Sequence, residues 1–224
     1  MNNKRVTIIA GHYGSGKTNV AVNYALWLRE NQPRVSIADL DIVNPYFRSK
    51  DSEKVLEEKD IRLISSAYAN SNVDTPALPA EAYSITADKD CFAVVDVGGD
   101  DRGALALGRY VPDILEEDNY EMYFVVNKYR PLTPDADSAI EVMREIEISC
   151  GMMFTGIINN SNIGEETTAD TVISSFAYAD EISEKTGLPV VMTTVDERIF
   201  PQINEVINNA KPLKLYVRQS WQRG

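Results

Sequence analysis

The stretch Val6-Thr7-Ile8-Ile9-Ala10-Gly11-His12-Tyr13-Gly14-Ser15-Gly16-Lys17-Thr18 decides how the rest of the chain is read. An apolar, partly β-branched run enters a glycine-rich segment that closes on Gly16-Lys17-Thr18, and a helical pattern begins at once. Gly11, Gly16, Lys17 and Thr18 satisfy G-x-x-x-x-G-K-[ST] in full, and Gly14 adds a third glycine. The spacing has a chemical reason. A triphosphate must lie against main-chain N–H groups, so side chains have to be absent where the backbone wraps it. A helix starting near Lys17 aims free N–H groups and its positive dipole end at that anion. Lys17 would reach the β- and γ-phosphates, and the Thr18 hydroxyl would ligate Mg²⁺. A strand pattern before and a helix pattern after are the context this motif demands, which a chance glycine-rich turn lacks. The expectation is a nucleotide site built from Gly11, His12, Tyr13, Gly14, Ser15, Gly16, Lys17, Thr18 and Asn19.

Strand-like runs recur at 5–10, 34–39, 61–64, 91–97, 121–127, 154–159 and 189–194. Most are continuous apolar segments, as strands covered on both faces should be. Helical spacing fills 17–31, 134–149, 168–186 and 197–209. Strand and helix in alternation predict an α/β fold, three layers with a mostly parallel sheet between helices. The 224 residues suit one domain with a sizeable core. Residues 211–224 carry basic groups and no acid, and read as a final strand, a docking tail or a frayed end.

With 22 Lys and Arg against 34 Asp and Glu, the formal charge is −12. Such a field repels nucleic acid and anionic lipid, so neither is expected as a partner. Of the two cysteines, Cys91 opens a strand pattern and is expected to be buried and inert; with Cys150 it forms no C-x-x-C. The opening Met-Asn-Asn-Lys-Arg lacks the apolar region of a signal peptide. No apolar run approaches the ~20 residues of a membrane span. A cytoplasmic protein is expected.

Two further acidic segments fall at predicted strand ends. Asp39-Leu40-Asp41 leaves the second strand, where two carboxylates one residue apart can face a metal-bound triphosphate, one holding a metal-bound water and the other orienting the attacking water. A turn cap by Asp41 fits the same residues. The fourth strand runs apolar into Asp96 and then Gly98-Gly99. An acid there is costly unless paired or bound to metal, which places Asp96 near Mg²⁺ and lets the Gly99 amide sense the γ-phosphate. Asp100 and Asp101 then start a helix, where capping suffices to explain them.

In this order the motifs resemble the MinD/ParA group of deviant-Walker P-loop ATPases, in the wider CobQ/CobB/MinD/ParA nucleotide-binding class that takes in nitrogenase iron protein, metallochaperone NTPases and dethiobiotin synthetase. Gly11 to Thr18 resembles the family's G-K-G-G-x-G-K-[ST], Asp39-Leu40-Asp41 its D-x-D, and Asp96-Val97-Gly98-Gly99 its D-x-x-G. The resemblance implies the P-loop NTPase fold, Mg-ATP binding, and often a nucleotide-dependent homodimer. It also implies that an asparagine after the sixth strand, Asn159 or Asn160 here, reads adenine. One departure stands out. The family's signature lysine, which crosses the dimer interface, is His12, and its neighbouring glycine is Tyr13. A histidine is shorter and mostly neutral at pH 7, so it does not inherit the lysine's role. Arg48, Arg102 and Arg109 are candidate replacements that also suit surface ion pairs.

Asn127-Lys128 is similar to the start of the guanine motif N-K-x-D, but Arg130 stands where the acid should be. Without that carboxylate the reading is ATP over GTP. Asn44-Pro45-Tyr46-Phe47-Arg48 suits a partner-facing switch or a turn packed on the sheet edge. The expected function is a Mg-ATP-dependent switch ATPase acting on a protein partner, with Lys17, Asp39 and Asp41 in hydrolysis and Thr18, Asp39 and Asp96 at the metal. A small-molecule kinase or ligase resembling dethiobiotin synthetase is the alternative. A metallochaperone NTPase and a non-hydrolysing nucleotide module follow behind.

Overall fold

The computed structural model describes residues 3–40, 50–65, 80–99 and 101–216. Eight strands, β1 (Val6–Ala10), β2 (Val35–Asp39), β3 (Ile61–Ile64), β4 (Phe92–Asp96), β5 (Tyr120–Val126), β6 (Gly156–Asn159), β7 (Val190–Asp196) and β8 (Ala210–Leu213), form one sheet in the order β3-β2-β4-β1-β5-β6-β7-β8. Every neighbouring pair is parallel. This is the expected α/β architecture. The order reverses around β1: the chain leaves it for β2 and β3 on one side, then crosses to β5 and beyond on the other. Ligands of open parallel sheets sit at such a switch, beyond the carboxyl ends of the strands.

The pleat sorts each strand's residues between two cores. Val6, Ile8 and Ala10 of β1 join Val95, Phe124 and Ile157 on one face, with helices α4 (Asp101–Gly108), α6 (Ala136–Cys150) and α8 (Phe176–Thr186). Ile9, Ile37, Val94, Val125 and Ile158 turn to the other face, under α1 (Lys17–Arg29) and α2 (Lys50–Glu58). Both faces are therefore dry, which is why the strands read as unbroken apolar runs. Short helices α3 (Ser84–Ala87), α5 (Val111–Glu117), α7 (Ala169–Ile173) and α9 (Phe200–Ile203) complete the described elements. A buried Arg5 bolts the lower end of the sheet: its guanidinium donates to both Glu117 oxygens and to the carbonyls of Ile85 (2.9 Å) and Cys91 (3.1 Å).

Three sequence expectations need correction. The helix expected over 168–186 is two, α7 and α8, because Ser174 and Ser175 donate their hydroxyls to Asp170 O and Val172 O at 2.6 Å and bend the chain there. The helix expected over 197–209 is the single turn α9 followed by turns through Asn204 and the Asn208-Asn209 pair. Cys91 lies one residue before β4 and is half-exposed rather than buried. Of the 211–224 segment, residues 211–213 belong to β8 (Ala210–Leu213), and residues 217–224 lie outside the described part.

Candidate functional site

The segment between β1 and α1 turns on three glycines with positive φ, Gly11 (152°), Gly14 (77°) and Gly16 (90°), conformations that L side chains rarely adopt. A Cβ on Gly11 would also lie 2.4 Å from Val125 O, and one on Gly16 would lie 2.3 Å from the Asn160 amide nitrogen. The loop is thus pressed against β5 and the end of β6 at positions where only glycine fits. Ser15 N donates to His12 O (3.2 Å) and closes the turn. Gly16 is the N-cap of α1; no side chain caps the helix and its first turn holds no acid. By contrast Asp135 caps α6 and Thr168 caps α7. A helix N-terminus without a side-chain cap, behind a glycine-rich loop, is a ready-made anion site.

Lys17 folds back across this loop, its Nζ 3.2 Å from His12 O, and is 7% exposed. His12 turns its own ring onto the loop, Nδ1 lying 2.8 Å from Tyr13 O, while the Tyr13 side chain is half-exposed. Ser15 is buried with its Oγ making no hydrogen bond among the described residues. Asn19 accepts from Tyr216 N (3.0 Å), tying the segment after β8 to the helix.

On the β4 side the acids converge. Asp39 and Asp96 are register partners at the carboxyl ends of adjacent strands, and Asp96 also pairs in register with Ile9 of β1. Both carboxylates are buried. Thr18 Oγ1 donates to Asp96 Oδ2 at 2.7 Å. That hydroxyl has spent its one proton on the carboxylate and keeps lone pairs for a cation. Among the described residues no three His, Cys, Asp or Glu side chains gather to hold a metal. A Mg²⁺ ion, which binds few carboxylates and takes oxygen from water and phosphate, fits such a sparse, hard-oxygen donor set. Asp41, Arg48 and the 44–48 segment lie outside the described residues, as do Asp100 and the side chains of Asp101 and Arg102. Arg109 follows the last residue of α4, about 12 Å along the helix from its start.

Gly99 touches the loop directly: a Cβ there would sit 2.6 Å from Tyr13 N and 2.9 Å from Tyr13 Cα. Gly103, in the first turn of α4, is equally tight against Gly98: a Cβ on Gly103 would lie 2.6 Å from Gly98 Cα. At Gly99 the segment leaving β4 thus packs backbone against backbone on the glycine loop.

On the opposite flank Asn159 and Asn160 are both buried. Asn159 donates to Ser175 Oγ (2.9 Å) and accepts from Ser161 N (3.2 Å). Asn160 bridges Ser15 O (2.7 Å) and Thr194 Oγ1 (2.6 Å), so it braces the loop against β7. A cleft opens beside them, lined by Gly14, Gly16, Asn19, Asn160, Asn162 and Asp196. Burial pushes the Asp196 carboxyl up, but hydrogen bonds from the Arg198 side chain (Nη2 2.8 Å away) and backbone, with its charge, together hold it below the ordinary range.

Sequence reasoning assigned no site role to several residues of this cleft, Asn162, Asp196 and Arg130 among them. Arg130 also lines it and lies broadside on Gly14, with Nε, Cδ and Cζ 3.6–3.8 Å from where a Cβ would stand. Asn127 and Lys128, similar to the start of a guanine motif, are tied into the protein. The Asn127 amide donates to Asn162 O (3.1 Å), and Lys128 Nζ donates to Ser174 O (2.8 Å). The available signal was that β5, on which this turn depends, is the parallel neighbour of β1.

No protein-family model matches the chain, and no curated protein matches it in sequence. Solved structures do. The cell division protein FtsY of Thermotoga maritima superposes with a TM-score of 0.58 at 17% identity, over 88% of this chain and 64% of that one. Chloroplast FtsY of Physcomitrella patens gives 0.54 at 18% identity over 86% and 59%, and FtsY of Mycoplasma mycoides 0.54 at 18% over 88% and 62%. The chain thus spans about six-tenths of the length of these proteins. At such identities the likeness is one of fold, and the fold is that of P-loop NTPases.

Proposed function

We propose that this chain is a cytoplasmic Mg-ATP-binding P-loop ATPase, of the MinD/ParA kind, that acts as a nucleotide-dependent switch toward a protein partner or a second copy of itself. The observation that carries the reading is the uncapped start of α1 behind three positive-φ glycines, with Lys17 folded over the loop and Thr18 bonded to buried Asp96. Loop amides and Lys17 would take up charge that develops on the phosphates, interactions that gain strength in a water-poor site. Thr18 and Asp96, with Asp39 beside them, would hold Mg²⁺, which supplies neutralisation of phosphate charge and a fixed template. Asp39 or Asp41 would orient the attacking water. Asn160 stands at the cleft with its amide already bonded to Ser15 O and Thr194 Oγ1, so its second amide hydrogen and remaining lone pair are what would read adenine, and the cation at position 130 in place of an acid favours ATP over GTP.

The contact of Gly99 with Tyr13 supports the switch: a change at the phosphates is felt by the 96–103 segment through touching backbone. Tyr13, Leu132 and Ile163, from the loops after β1, β5 and β6, are exposed on this same edge, 51%, 67% and 44%, a surface suited to a protein partner. Among the described residues no helix is long and apolar enough to cross a membrane. The test is a titration of wild type and Lys17→Ala with Mg-ATP and Mg-GTP. Wild type should bind ATP more tightly, and the variant should bind neither. Near wild-type affinity in Lys17→Ala would overturn the proposal.

A further inference from the structure

We infer that Arg130 forms one wall of the cleft beside the phosphate loop and stacks its guanidinium on the base of the bound nucleotide, acting as a base-positioning residue supplied in cis. This rests on the nucleotide site proposed above. The sheet order supplies the direction. The loop follows β1, which lies between β4 and β5. The groups suited to metal and γ-phosphate, Thr18, Asp96 and Gly99, all approach from the β4 flank. The nucleoside end then points to the β5 and β6 flank, where the cleft lies and Arg130 lines it.

The side chain is set there by its turn. Asn127 Oδ1 accepts from Tyr129 N (3.0 Å), Arg130 N donates to Asn127 O (3.1 Å), and Tyr129 OH donates to Thr171 O (2.7 Å). Three consecutive side-chain atoms at nearly equal range from Gly14 mean that the guanidinium arm lies flat on the loop, not end-on. Its Nε is buried and makes no hydrogen bond among the described residues. Burial pulls its pKa below the usual arginine value, with Tyr13 opposing, so the cation is held in a partly dry place. A planar, weakly hydrated cation in that setting suits the face of a purine. Asn162 and Asp196 also line this cleft, and stacking by itself leaves the choice between purine edges to other groups.

The experiment compares Arg130→Ala, Arg130→Lys and wild type for binding of Mg-ATP and of inorganic tripolyphosphate, which has no base. Both variants should weaken ATP by about tenfold, since a lysine keeps the charge but not the flat face. Tripolyphosphate affinity should change by about twofold or less, the screened effect of one charge. Unchanged ATP binding overturns the inference, as does equal weakening of both ligands, which would make Arg130 a phosphate contact. Lys17→Ala, run alongside, separates the two levels. If it still binds ATP, the nucleotide site itself is wrong; if it does not and Arg130→Ala does so normally, only the stacking assignment fails.

Discussion

Replacing Thr18 by valine keeps the shape of the side chain and removes one hydroxyl. In the native protein that hydroxyl donates to Asp96 at 2.7 Å, and Asp96 is 1% exposed, so water cannot take its place. A hydrogen bond to a charged acceptor contributes about 1.5–3 kcal/mol. The absence of compensating solvent puts the expected loss in the upper half of that range, about 2–3 kcal/mol. For a chain of this size each kcal/mol moves the midpoint by roughly 2–4 °C, so thermal unfolding without ligand should fall by on the order of 5–10 °C. Thr18→Ser, which keeps the donor, should lose far less. The second readout is ligand binding: the gain in ATP affinity on adding Mg²⁺ should vanish in Thr18→Val, leaving the metal-free affinity in place. If the valine variant melts within about 1 °C of wild type, or keeps the full Mg²⁺ effect, the pairing of helix start and β4 acid is not what organises the site.

Three other perturbations have defined outcomes. Gly99→Ala places a methyl 2.6 Å from a backbone nitrogen of Tyr13, which cannot swing aside as a side chain could; overpacking of this kind costs about 1–3 kcal/mol, and both the melting temperature and ATP affinity should drop. Asn160→Ala cuts the bonds to Ser15 O and Thr194 together. The loss, about 1–3 kcal/mol by urea unfolding, should come with weakened nucleotide binding, and unchanged affinity would show that the brace does not set the loop. Glu117 is held down to about 2 chiefly by hydrogen bonds from Arg5, with burial opposing and Lys89 adding. A depressed carboxylate stabilises fully above its unfolded value and loses that contribution as pH falls toward the folded one. Glu117→Gln should thus be clearly less stable than wild type at pH 7, the gap closing as pH drops from about 4.5 toward 2. A gap that stays constant over that window would remove Glu117 from the acid response.

The architecture was legible because its signals are local. Strands buried on both faces leave continuous apolar runs, so β1 to β7 were each found within a few residues. The glycine loop was legible for the same reason, since Gly11, Gly14 and Gly16 are forced by backbone conformation at their own positions. What the sequence concealed depends on neighbours far along the chain. Ser175 interrupts the 168–186 pattern partly by accepting from Asn159, a partner no window of residues contains. Arg130 drew notice only as a missing acid, because its contact with Gly14 exists only once β5 has paired with β1. The Asn127-Lys128 likeness to a guanine motif is already broken in the sequence by Arg130; that the two side chains bond Asn162 O and Ser174 O could be read only from the fold.

The strand that carries the phosphate loop is translated well before its partners, β4 and β5, which are both complete only when Val126 has been made. At ribosomal speeds of roughly 5–20 residues per second, its two open edges wait on the order of ten seconds for neighbours. During that interval Val6 to Ala10 is a short, uncharged, β-prone ribbon able to pair with any other nascent edge. Yield on overexpression should therefore respond to translation rate and chaperone supply more than to changes on the finished surface.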